Sequence, residues 1–464
     1  MTAENVDLRT LRLLQAPVLS TLLKMAAPNL VVILSQNAVA ITELHFIGQL
    51  GSEALAGVSL VLPGYILMQN ASSGAMGGGV ASAVARALGA GRREDASHYV
   101  LHGLLIGLLF GAICAAAFLV GGRALYGAMG GHGPALVSAC QYSAVVFSGA
   151  VLVWGFNALA GSLRGSGDMV TPALVAGVGA ILIIPVAAAL ILGWGPVRSL
   201  GVIGGGLAML AYYAVGIGVF LLRLSSGAAP VRFLVRHVKL RRAMFGDILR
   251  VGAASVMVPL QTALTVGVVT WLVSPLGTAA IAGYGAGARL EYLVISITFA
   301  LGAPLVTLVG TSVGAGDMAR AYRVAAIGGG LAFAVAETMG LWGAIFPQVW
   351  LGLFGSDPQL LATGTTYLRC VGPFLGFFGV GLALFFASQG PGRVLWPLLA
   401  GFVRLVVAGF GAGWALHTFA SLSLAFLAVG VGFLAYGLIN VGAVMTGSWA
   451  PRSKGRPPAN ATGH

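Results

Sequence analysis

The amino-acid sequence contains one apolar unit written twice. Leu50-Gly51-Ser52-Glu53-Ala54-Leu55-Ala56-Gly57 returns as Leu276-Gly277-Thr278-Ala279-Ala280-Ile281-Ala282-Gly283, and Gly89-Ala90-Gly91 returns as Gly314-Ala315-Gly316. Arg164-Gly165-Ser166-Gly167 corresponds to Gln389-Gly390-Pro391-Gly392, each followed by a proline at Pro172 or Pro397, and Leu23-Lys24 corresponds to Leu249-Arg250. The shift stays near about 226 residues, which marks two copies of one structural unit. A duplicated, mostly apolar chain points to a membrane transporter whose pathway runs between its halves.

The composition is 58% hydrophobic and only 8% charged, with a mean hydropathy of +0.95. A soluble chain does not carry that much apolar surface, so the bilayer is the solvent. Apolar runs long enough to cross about 30 Å of hydrocarbon lie at 23–47, 54–81, 98–121, 137–162, 171–193 and 201–223, and again at 249–273, 279–309, 323–346, 360–388, 395–418 and 421–446. The expected fold is an all-α integral membrane protein of 12 transmembrane helices in two six-helix bundles. An even number of spans per copy inserts both copies in the same direction, so a pseudo-two-fold axis along the membrane normal relates them. The expected organisation is an N-terminal segment 1–22, a first bundle 23–223, a linker 224–248, a second bundle 249–446 and a tail 447–464.

Arg92, Arg93, Arg164, Arg223, Arg232, Arg236, Lys239, Arg241, Arg242, Arg320, Arg323, Arg393, Arg452, Lys454 and Arg456 fall on one side of this map. The positive-inside rule makes that side cytoplasmic, with both termini, the first span serving as the insertion signal into a bacterial inner membrane. The net charge of +13 is therefore a topology signal, and no nucleic-acid partner is expected from basic residues spread over loops. Membrane lipids and a small-molecule substrate are the expected partners. Two complete bundles in one chain make a monomer sufficient.

No lysine follows a glycine, so a phosphate loop is absent, and neither a Gly-x-Ser-x-Gly elbow nor a His-Glu-x-x-His pair occurs. An enzyme is not expected, and no cofactor beyond a coupling H+ or Na+. Cys114, Cys140 and Cys370 are too scattered for a disulfide framework or a metal site. His98 and His102, four apart, lack a third ligand and read as interfacial histidines. Pro63, Pro185, Pro259, Pro304 and Pro373 mark possible kinks, whereas Pro28 reads as a first-turn proline.

Three carboxylates remain inside spans: Glu43, Glu291 and Glu337. A charge at bilayer depth costs about 2.5–3.5 kcal/mol on insertion scales, so each is a functional candidate. Glu43 shares the first span with Gln36 and Asn37 and is the candidate proton or cation site, the alternative being an interfacial acid. Glu291 reads as a substrate contact or as a structural acceptor. Glu337 could pair with Arg369 or Arg404, or line the pathway. Gln69, Asn70, Asn157 and Gln261 are further cavity candidates, or bonds between helices.

Glu43-Leu44-His45-Phe46-Ile47-Gly48, Leu88-Gly89-Ala90-Gly91-Arg92, Leu163-Arg164-Gly165-Ser166-Gly167-Asp168 with Thr171-Pro172, and Ala288-Arg289-Leu290-Glu291 stand in one order along the chain. With these motifs the sequence resembles the multidrug and toxic compound extrusion (MATE) family, over about residues 20–446. The resemblance implies a V-shaped pair of bundles around a central cavity, exporting amphiphilic, cationic solutes in exchange for protons or sodium ions by alternating access. It also implies that Glu43 stands where many members carry the aspartate of a cation site. The fifth-span asparagine and aspartate that complete that site are replaced here by Ala180 and Ile184. The same superfamily leaves a second reading open, a flippase for lipid-linked oligosaccharides, in which Arg369 and Arg404 would meet a diphosphate head.

Overall fold

A computed structural model describes residues 8–194, 198–227, 229–234 and 239–449. Arg236, the basic tail residues Arg452, Lys454 and Arg456, and residues 1–7 and 450–464 of the terminal segments lie outside them. The spans are α1 (Val18–Gly48), α2 (Ser52–Gly89), α3 (Arg93–Ala128), α4 (Gly133–Ser148 with Ala150–Gly165), α5 (Val170–Gly193), α6 (Val202–Ser225), α7 (Arg242–Leu276), α8 (Thr278–Gly314), α9 (Met318–Ile345), α10 (Pro358–Gln389), α11 (Leu395–Phe419) and α12 (Leu422–Met445). Most run a turn or more past the apolar stretch, as when α2 continues to Gly89 and α7 begins at Arg242.

Side-chain caps fix several starts. Asp317 accepts the Arg320 N–H at 2.8 Å, and Asp357 accepts Gln359 and Leu360 N–H groups at 2.9 Å. Each such cap contributes about 1 kcal/mol. Asp168 takes the Thr171 N–H and hydroxyl at the entry to α5 and also meets Arg223 of α6 at 3.2 Å.

Helix breaks follow prolines less than the sequence suggests. Only Pro373 interrupts a span, through a 3-10 turn at Gly372–Phe374 in α10. Pro63, Pro185, Pro259 and Pro304 stay inside α-helix. Pro28 is a correction: α1 begins at Val18, so Pro28 lies well inside it, and Pro17 is the proline at the helix entry. The sharpest bend, 44°, falls between Ser148 and Ala150 in α4. It falls at the pair Ser148-Gly149, a common kink site, where Gly149 leaves no side chain in the path of Leu210 from α6.

Two large hydrophobic cores correspond to the two sequence copies. One gathers Ile47, Val80, Phe147, Leu159 and Phe220; the other gathers Val294, Leu305, Phe378, Phe426 and Phe433. The basic end of α1 belongs to the second core through Val18, Leu22, Met25 and Ala26, while Ile47 at its far end belongs to the first. A cross-bundle bond secures this crossing. Pro304 has no N–H for the carbonyl of Ala300, and Asn29 of α1 donates to that carbonyl and to that of Phe299, each at 3.1 Å.

The bundles meet toward the basic face. Arg86 of α2 donates to the Gly390 carbonyl at 2.8 Å and to Asp247 at 2.9 Å, and Tyr99 of α3 donates to the same carboxylate at 2.9 Å. Ser82 donates to the carbonyls of Gln389 and Gly390, and Thr307 of α8 to the Arg164 carbonyl at 2.8 Å. The far half of the molecule holds no cross-bundle side-chain hydrogen bond among the described residues, and there the cavity widens.

His98 and His102 are buried under the linker rather than interfacial. His102 Nδ1 donates to the His98 carbonyl at 2.8 Å, and its Nε2 accepts the Arg241 N–H at 3.0 Å.

Candidate functional site

Two connected chambers occupy the cleft. The outer one, about 300 Å³, is enclosed by α1, α2, α5 and α6 and lined by Gln36, Asn37, Glu43, Tyr65, Gln69, Asn70 and Tyr213 among others. The inner one, about 100 Å³, lies between the bundles and reaches Asn157, Arg164, Phe299, Phe386 and Gln389. Gln36, Ala176 and Tyr212 line both chambers.

The backbone of α2 is loosened where it borders this space. Asn70–Met76 winds as a π-helix within an otherwise α-helical span, an irregularity often found at functional sites. It turns Ser72 toward Asn157, whose amide donates to the Ser72 hydroxyl at 2.9 Å and to Gln69 at 3.4 Å. Gln69 in turn donates to the Tyr213 hydroxyl at 2.9 Å, which lies 3.2 Å from that of Tyr65. Asn70, Asn37 and Gln36 line the outer chamber beside them, and Asn37 also donates to the Ile33 carbonyl at 3.0 Å.

Glu43 is held by one polar partner, Tyr142 of α4, whose hydroxyl donates to Glu43 Oε1 at 2.9 Å. Its side away from the outer chamber is mostly apolar: a void of about 20 Å³ there is lined by Val39, Phe46, Ile183, Ile184, Ala187, Gly205, Ala208 and Met209, with Thr42. The Thr42 hydroxyl already donates to the Ala38 carbonyl at 2.7 Å. Ile184 thus presents hydrocarbon where a second carboxylate is expected from the resemblance.

Gly205 makes the room that the glutamate needs. A β-carbon there would stand 2.7 Å from Glu43 Oε1. Gly205→Ser should therefore displace the carboxyl and slow export about tenfold, since overpacking costs about 1–3 kcal/mol and 1.4 kcal/mol is a factor of ten. Shortening the acid in the same chain, Glu43→Asp, should recover part of the rate in vesicle transport. No loss with Gly205→Ser alone would contradict this fit.

The remaining candidates lie away from both chambers, in the second bundle. Glu337 reaches neither Arg369 nor Arg404: its Oε2 accepts the Gly376 N–H at 2.8 Å, a donor freed where α10 breaks after Pro373. Arg369 is exposed on α10. Gln261 donates to the Leu398 carbonyl at 3.2 Å, joining α7 to α11. Arg404 is buried, donates to Thr262 at 2.8 Å and lies over the rings of Phe378 and Tyr436. Glu291, also buried, interacts with it electrostatically. Gln261, Glu291 and Arg404 are buried on the faces of α7, α8 and α11 that pack within the second bundle, away from both chambers.

Tyr65, Tyr213 and Arg164 line the chambers and Tyr142 holds Glu43, though none of them stands out as a site residue in the sequence. One signal was present for Tyr142, which repeats as Tyr367 under the shift that relates Gly89 to Gly314. The acid itself does not repeat: Val269 stands where Glu43 would return.

The MatE family model matches residues 28–189 and again 254–414, one match in each copy. Among curated proteins, the chain is 25% identical over 404 residues to one named "FAD transporter" from Shewanella oneidensis, covering 85% of this chain and 87% of that one. It is 29% identical over 473 residues to a "Probable multidrug resistance protein NorM" from Deinococcus radiodurans, covering 95% and 98%. Among solved structures, an outward-facing multidrug resistance MATE family transporter of the MOP superfamily superposes with a TM-score of 0.82 at 21% identity, over 95% of this chain and 98% of that one.

Proposed function

The chain belongs to the MatE family of multidrug efflux transporters, and from that premise we propose that it exports amphiphilic aromatic solutes in exchange for protons carried by Glu43. The basic face is taken as cytoplasmic, in keeping with the arginines gathered there, and the protein as a monomer in a bacterial inner membrane. With the bundles closed on the basic face, the arrangement described above is the outward-facing half of an alternating-access cycle.

The observation that carries the choice of proton is the single hydrogen-bond partner of the Glu43 carboxyl, with hydrocarbon where the resemblance expects a second carboxylate. A metal cation stripped of water needs several oxygen ligands, and Glu43 has one hydroxyl partner and a hydrocarbon wall. A proton needs only the carboxyl itself. Entering from outside, it would neutralise Glu43, loosen the acceptor that orders Tyr142 and favour release of solute from the adjoining chamber. Rocking of the bundles would then carry the proton to the cytoplasmic side.

Substrate breadth is supported by the chamber walls. Phe156, Tyr212, Phe299 and Phe386 offer flat apolar surface, which suits binding by shape and stacking. The curated relatives are named for FAD and for multidrug transport alike, in keeping with aromatic cargo of differing head groups.

The test is solute efflux from proteoliposomes under an imposed pH gradient and, separately, a sodium gradient. Export should follow the pH gradient alone. Equal or greater export under sodium would overturn the assignment of the coupling ion.

A further inference from the structure

The floor of the inner chamber carries a charge that no described residue balances. Arg164 is the only charged residue among its lining residues, and its side chain makes no hydrogen bond or ion pair with any described residue; Gly77 packs beside its Nη2. Other arginines near this end are paired, Arg86 with Asp247 and Arg223 with Asp168. Across the floor from Arg164 stands Gln389, its counterpart in the second sequence copy. Gln389 is fully buried, and neither its Oε1 nor its Nε2 has a hydrogen-bond partner.

A desolvated cation and an unsatisfied amide are both costly when left alone. One ligand meets the guanidinium and the amide donor together: an anionic group that takes the guanidinium as a bidentate partner and also accepts from Gln389 Nε2. The four aromatic side chains of the same chamber leave flat surface for the rest of that ligand.

We infer that the inner chamber is a subsite for the phosphate or carboxylate of a planar aromatic solute, held by Arg164 and Gln389. This assignment rests on the exporter reading and narrows it from the amphiphilic cation that the family resemblance implies. It also fits the energetics of antiport. A departing anion and an entering proton each move positive charge inward, and each is worth about 2.3 kcal/mol per 100 mV of membrane potential.

The matched probes are riboflavin 5′-phosphate and riboflavin, the same ring system with and without the anion. Their affinities for the purified protein in neutral detergent are read by quenching of flavin fluorescence. The intact protein should bind the phosphate form at least about tenfold more tightly, a difference of about 1.4 kcal/mol. Arg164→Gln should remove that preference, Arg164→Lys should keep part of it, and Gln389→Ala should reduce it. Equal affinities in the intact protein, no saturable binding of the phosphate form, or a preference that survives Arg164→Gln would overturn the assignment. So would loss of the preference on adding phosphatidylglycerol, which would make the floor a lipid site. The binding assay uses no ion gradient, so failure of proton coupling would leave this result standing, and the reverse also holds.

Discussion

Glu43→Gln is expected to abolish proton-driven accumulation while leaving the protein folded. Glutamine preserves the length of the side chain and an oxygen to accept from Tyr142, but it cannot exchange a proton. One imported proton is worth about 2.3 kcal/mol per 100 mV, enough to sustain a solute ratio of a few tens across the membrane. In the variant that ratio should fall to about one, with residual movement only down the solute's own gradient. The measurement is the steady-state distribution of a fluorescent solute in proteoliposomes under a pH gradient, with a gel-filtration profile and melting temperature matching those of the parent. An undiminished ratio would remove Glu43 from the mechanism.

The second large effect concerns closure. Gly89 of α2 and Gly314 of α8 are equivalent positions in the two copies, and each lies against the backbone of the other's helix. A β-carbon on Gly89 would meet the Thr311 carbonyl and stand 2.9 Å from its Cα; one on Gly314 would meet the Arg86 carbonyl and stand 3.0 Å from its Cα. Small residues permit helices to approach this closely in a membrane. Gly89→Val or Gly314→Val should force the basic face apart, cut export to below about a tenth, and lengthen the distance between spin labels at Glu94 and Arg323 on opposite bundles. Tenfold corresponds to about 1.4 kcal/mol, well within the cost of one such clash. Unchanged distance and rate would show that the contact is incidental.

The architecture was legible because its determinants are long-range and redundant. Twelve apolar runs, a shift shared by four separated segments and a one-sided distribution of arginines each point to two bundles in one orientation. Much of the N-terminal half of the site was legible too. Gln36, Asn37, Gln69, Asn70 and Asn157 are polar residues on apolar spans, and the cleft is where they converge. The second-bundle polar residues looked the same in sequence. What separates them is which helix face meets a neighbour, and that depends on packing: Glu337 finds its partner only because α10 breaks at Pro373, and Arg404 finds ring faces and Thr262. The tyrosines around Glu43 were hidden for a related reason, since a tyrosine in a span reads as core or interface until its hydroxyl has a partner. Arg164 read as a topology signal. That no described residue is its counter-ion is a fact about three-dimensional neighbours.

Exchange of solute against a proton carried by Glu43 is the centre of this account, and counting protons tests it most directly. Purified protein in weakly buffered detergent would be mixed with saturating solute while a pH-indicating dye reports release, across the pH range in which the fold is stable. The expectation is a release approaching one proton per protein over part of that range, absent in Glu43→Gln at every pH. Solute binding without proton release in the parent, or the same release in the variant, would contradict it.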